Sequence, residues 1–187
     1  MSDDHQSLVR QDGNIAGENI VAGDLKLIKP PEIKTPLRKM AENYRREVEQ
    51  DYTKQKFIEE LQNYMKRVPG HEQRDLEQKL SAAKRDDLIS NATLLKEMFA
   101  KKLYRHTFSP MAQRIFADTL AMINSSFQLK IKPMIRENES SKLVDNAIYN
   151  EIVKAIYYEV GNSELEINMD HIRGMLYYLT GNCYIEW

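Results

Sequence analysis

At 187 residues, with 27 Lys and Arg against 28 Asp and Glu and a formal net charge of −1, the chain is sized for one domain with appendages. No global field draws it to nucleic acid or membrane, so any such contact has to come from a local patch. One cysteine excludes an intramolecular disulfide, no apolar run approaches the ~18 residues of a membrane span, and the polar start MSDDHQSLVRQDG does not read as a secretory signal. The expectation is a soluble, cytoplasmic protein without membrane contact.

The first thirty residues differ in kind from the rest. Three of the seven glycines lie in GNIAGENIVAGD, where Gly13-Asn14-Ile15-Ala16-Gly17 is followed by a looser copy over 18–24. Asn and Gly accept left-handed turns while Ile and Val favour extended backbone, so the pattern predicts very short strands between turns. Two such units cannot repay their own ordering entropy. Residues 1–30 are therefore either disordered in the monomer or completed by copies from other chains, with Ile15, Ile20, Val21 and Leu25 as the oligomerisation surface.

Residues 31–54 read as a Pro-stiffened spacer, KPPEIKTP, and the start of a charged helix. Thr35-Pro36 and Ser109-Pro110 each place an N-cap before Pro at the first helical position. A helix is predicted over 36–67, and only its second half carries an apolar stripe (Phe57, Ile58, Leu61, Tyr64, Met65, Val68), so its first half is expected to project or pack weakly. VPGHE breaks it. Helices follow over about 72–84, 86–105, from Pro110 to Met134 and 141–160, the last striped by Leu143, Val144, Ala147, Ile148, Ile152, Ala155, Ile156 and Val160. Gly161-Asn162 ends it.

Beyond that point the period changes. ELEIN alternates like a strand, MDHIRGMLYYLTG reads as a short helix ended by Gly181, and NCYIEW is a second strand candidate. The predicted fold class is mainly α: a helical bundle over 55–187 with a small two-stranded β appendage at its C-terminus, preceded by the short Gly/Asn-rich, β-prone segment.

The chemistry-bearing residues form no catalytic set. Cys183 lacks a spaced base and an orienting third group, and reads as a small buried hydrophobe. His5, His71, His106 and His171 lack the paired short spacings of a zinc site, and GNIAGENIVAGD lacks the Lys-Ser/Thr of a phosphate loop. No metal or cofactor is expected, and the carboxylates look like paired surface charges. Basic residues gather at KEMFAKKLYRH and KIKPMIR. The first reading is a solvated helical face, and the competing one is a nucleic-acid-binding regulator using Lys101, Lys102 and Arg105.

The unusual residues of the chain crowd its end. In IRGMLYYLTGNCYIEW stand Gly174-Met175, Leu179-Thr180-Gly181-Asn182-Cys183, then Ile185 and Trp187. This string, with FAKKLYRHTFSPMAQRIFADTLAMINSSFQLKIKPMI upstream, resembles the C-terminal domains of bacterial ABC-three-component conflict systems related to the Lamassu type of anti-phage and anti-plasmid defence. The resemblance covers roughly 55–187. It implies a non-catalytic adaptor or middle subunit, whose partners are an SMC-like ABC ATPase and an effector of the same system, with DNA met only indirectly or weakly. Effector domains often precede this module in the family; here only the repeat and a charged helix do, so an effector activity in this chain is not implied. The reading places partner contacts at Arg173, Tyr177, Tyr178, Asn182, Tyr184 and Trp187. Leu176, Tyr177, Leu179 and Ile185 are expected to pack inward, with Trp187 covering a seam.

Overall fold

The computed structural model describes residues 35–47, 57–69, 74–161 and 163–187. All belong to the unit Lys34–Trp187. The repeat segment 1–30, with Ile15, Ile20, Val21 and Leu25, lies outside the described residues.

Helices α1 (Pro36–Glu47), α2 (Glu59–Met65), α3 (Leu76–Ala82) and α4 (Ile89–Arg105) are followed by α5 (Pro110–Ser126) and α6 (Lys132–Arg136). Helices α7 (Ser141–Ala147), α8 (Ala155–Val160) and α9 (Met169–Gly181) complete the series. Wider π-helical turns at Phe127–Ile131 and Ile148–Lys154 join α5 to α6 and α7 to α8. Both Pro-led starts are capped as their residue types require. Thr35 Oγ1 accepts the Arg38 amide (3.3 Å) and Ser109 Oγ accepts the Ala112 amide (3.0 Å).

The interior is built from α4, α5 and α9. Phe99 and Leu103, then Ile115, Phe116, Leu120 and Ile123, then Ile172, Met175, Leu176 and Leu179 are all buried in one cluster. Each such side chain contributes about 1.5–3 kcal/mol by leaving water. Gly174 sets the spacing of α9 on α4, because a Cβ there would overlap the Leu95 carbonyl oxygen and come within 3.0 Å of Phe99 Cβ. The π-turn before α6 has a cause in the sequence. Pro133 lacks an amide and its ring crowds the preceding turn, and just upstream of it the Lys132 amide reaches back to the Phe127 carbonyl, a five-residue step.

Three expectations are corrected. The first half of the 36–67 stretch does not pack weakly, since Leu37, Ala41 and Tyr44, at helical spacing, are buried in the core. That stretch is not one helix either: Ile58 is extended, with its amide given to buried Gln113 Oε1 (2.6 Å), and α2 begins after it. Gln113 also donates to the Thr107 carbonyl (2.6 Å), so a tertiary hydrogen bond outcompetes helix continuation at that point.

The third correction concerns the C-terminal β appendage. No strand occurs among the described residues, and 164–168 and 182–187 run as turns and irregular chain. Leu165 and Ile167 do alternate inward, but onto the helical core, and Glu166 between them takes a left-handed φ of 49° that no ladder accepts. No helix among the described residues is long and apolar enough to cross a membrane.

Candidate functional site

The end of α9 closes with paired backbone bonds that need one residue in the left-handed region. Tyr184 donates its amide to the Leu179 carbonyl (3.0 Å) and Cys183 to the Thr180 carbonyl (3.2 Å). Cys183, at φ 67°, takes that conformation, whereas the preceding Gly181 remains helical. The thiol is buried beside the Arg74 carbonyl. It therefore serves the turn as a small packing group.

The six residues after α9 are then fastened from three sides. Asn182 receives the Val68 amide on its carbonyl (3.1 Å) and donates its side-chain amide to the Tyr64 carbonyl (2.9 Å). Tyr184 donates its hydroxyl to the Asn63 carbonyl, and its own carbonyl accepts from Gln128 Nε2 (3.0 Å). From α3 comes a lysine whose side chain is wholly buried: Lys79 Nζ donates to the Thr180 carbonyl (2.7 Å) and pairs with Glu186 (3.0 Å). A buried ammonium is tolerated only with such acceptors around it. Arg74 adds a second, longer pair to Glu186 (3.5 Å).

Trp187 seals the seam between the two apolar clusters. Its ring stacks on Tyr177 (6.3 Å, 16°), meets the Phe127 ring at 62° and lies under the Arg85 guanidinium (5.7 Å). Its indole N–H donates to Thr180 Oγ1 (3.1 Å). Arg85 is buried and held by Asp145 at 2.9 and 3.0 Å, which brings α7 to the same seam.

The residues expected to contact partners divide accordingly. Tyr177 is buried, and Asn182, Tyr184 and Trp187 are half-buried internal ties. Tyr178 packs edge-on against Phe99 (5.3 Å), while Arg173 pairs with Asp170 on the outer face of α9 (3.2 Å). Leu176, Tyr177, Leu179 and Ile185 point inward as their spacing implies. Lys79 was not among the sequence candidates, although it shares the apolar face of α3 with Leu76 and Leu80 at helical spacing, and that placement was the available signal.

Lys101, Lys102 and Arg105 do converge. They line one wall of a cavity of about 740 Å³ between α4, the 161–168 connector and the start of α9, opposite Glu166 and His171. Asn168 caps α9 and receives His171 in return: its amide donates to His171 Nδ1 (3.2 Å), which leaves the ring proton on Nε2. Burial first, then the charge of Lys102, holds His171 below its ordinary pKa. His106 is lowered by burial, then by Lys102 and Arg105, and Lys102 itself is lowered mainly by burial. The second basic cluster is partly spent internally, with Lys130 paired to Glu151 (2.5 Å) and Lys132 bonded to Gln128 (3.0 Å). Among the described residues no group of three His, Cys, Asp or Glu side chains could hold a metal ion.

Residues 75–187 match the family model for C-terminal domain 9 of the ABC-three component (ABC-3C) systems. The match begins at Asp75, the N-cap of α3, and ends at Trp187, so it contains Lys79, Arg85 and the tail they hold. No curated protein and no solved structure matches the chain.

Proposed function

The chain belongs to the family of C-terminal domain 9 of the ABC-three component systems, which makes it a component of a multi-part assembly with partner subunits, and on that premise we propose that it is a non-catalytic adaptor or middle subunit. Its partners are an SMC-like ABC ATPase and an effector of the same system, of the Lamassu-related anti-phage and anti-plasmid type. The observation that carries this reading is that the family match coincides with a body whose C-terminus is fastened down, a rigid shape suited to docking. The contact surface takes in Arg173 and Tyr178, partly accessible on two different faces of α9, and the half-buried rim of Trp187. A regulator that tracks nucleic acid is less well supported, because Lys130 and Lys132 are bonded to Glu151 and Gln128 of the same chain and Lys101, Lys102 and Arg105 gather at one cavity.

Size-exclusion chromatography with light scattering, using the purified chain and the ABC ATPase of its own system, tests the docking. A defined complex is expected, lost on Arg173→Glu without a change in melting temperature. Failure of the chain to associate with the ATPase or with any other component of the system overturns the reading.

A further inference from the structure

We propose that the cavity between α4 and the start of α9 binds a small phosphate-bearing ligand of nucleotide size, held by Lys102, Arg105 and Lys101 and by the Nε2–H of His171. Four observations support the site. Its volume of about 740 Å³ falls within the range of small-molecule pockets, ~300–1,000 Å³. The three cations sit within five residues of one helix, and none of them has an ion-pair partner within 4 Å among the described residues. Glu166 is the one carboxylate on the cavity lining, so three cations face one anion. Finally, Met98 and Tyr157 supply an apolar surface on which a flat ring can lie while the phosphates meet the cations.

The positive field is registered by its neighbours. His106, the C-cap of α4, and His171, in α9, are each held below their ordinary pKa first by burial and then by Lys102, while Glu166 partly offsets Lys102 itself. Neutral His171 is the form its capping role demands, and in that form it offers a hydrogen-bond donor without adding charge. A bound phosphate would offset the repulsion among Lys101, Lys102 and Arg105 and accept from all four groups. The clustering around a concavity favours a compact ligand over a nucleic-acid backbone, which needs cations spaced along a track.

Calorimetric titration of the full chain with inorganic pyrophosphate, adenosine 5′-diphosphate, adenosine and a short DNA duplex tests this inference. Pyrophosphate and the diphosphate are expected to bind and adenosine not to. Lys102→Gln and Arg105→Gln should each weaken binding by about tenfold or more with the melting temperature unchanged, and Lys130→Gln should leave it unaltered. The His171 ring resonances should shift on adding pyrophosphate. The inference is overturned if neither phosphate compound binds, if both cavity variants bind as tightly as the parent, or if the duplex binds and pyrophosphate does not displace it. None of these outcomes depends on association with the ATPase, so this inference and the docking proposal stand or fall separately.

Discussion

Lys79 and Arg85 are buried and each faces a carboxylate from a distant part of the chain, whereas Lys101, Lys102 and Arg105 line one wall of a cavity with no ion-pair partner within 4 Å among the described residues. The same side-chain chemistry thus does two jobs. In the first pair the chain supplies every acceptor, so the charge becomes a fastener for the tail; removing it leaves the Thr180 carbonyl and Glu186 without their ammonium. In the second group the fold supplies almost none. Glu166 offsets part of the charge at Lys102, and the proposed phosphate ligand would supply the rest.

The comparison predicts a graded series of effects. Lys79→Ala should be the most damaging, costing about 3 kcal/mol in urea unfolding, a value reduced from that of a fully buried pair because Glu186 retains access to water. Next comes Trp187→Ala, at about 2 kcal/mol for a half-buried indole with two ring neighbours, one guanidinium contact and one hydrogen bond. A thermal midpoint that does not move would show that the ring covers nothing of consequence and is held for partner contact.

Acidification should have a smaller effect with a definite sign. The folded-state pKa values of His106 and His171 are lowered by burial and by Lys102, with Arg105 adding to the effect at His106 and Asp170 opposing it at His171. The folded state therefore binds fewer protons than the unfolded chain, so this contribution is complete above the unfolded value of about 6.5 and is lost as pH falls below it through the folded values. Asp118, raised mainly by burial, acts in the opposite direction but over the lower carboxylate range. Thermal midpoints recorded from about pH 8 to pH 5 should fall, and fall less when pyrophosphate is present. The smallest effect belongs to the cavity: Arg105→Gln should change stability by less than about 0.5 kcal/mol, and toward stabilisation, because it removes like-charge repulsion from Lys101 one helical turn away. A loss of more than that would mean that Arg105 is a structural residue after all.

Much of the helical layout is legible in the residues. Thr35-Pro36 and Ser109-Pro110 mark helix starts by a local hydrogen bond, and the stripes from Ile115 to Ile131 and from Val144 to Val160 predict the buried faces. What was not legible depends on distant partners. The break at Ile58 requires Gln113, fifty-five residues away, and the irregular course of 182–187 goes with Lys79 and Gln128 taking the Ile185 and Tyr184 carbonyls that a strand would otherwise pair. The π-turn over Phe127–Ile131 had a visible cue in Pro133, but the one over Ile148–Lys154 contains no Pro or Gly, and its placement shows only in the packing of Ile148, Ile152 and Val153. Of the candidate residues, Lys101, Lys102 and Arg105 were found through charge clustering, which survives folding because all three lie on one helix. The tail residues were grouped by the family string, and the structure places four of them, Tyr177, Asn182, Tyr184 and Trp187, in the fastening of the chain end.

That fastening is the centre of the account, and amide hydrogen exchange read on peptides covering residues 180–187 measures it most directly. In the parent chain the Cys183 and Tyr184 amides should exchange as slowly as those of α9, and in Lys79→Gln they should exchange much faster while α5 keeps its protection. Rapid exchange over 180–187 in the parent chain, at the rate of an unstructured peptide, would contradict the claim that buried cations hold the tail.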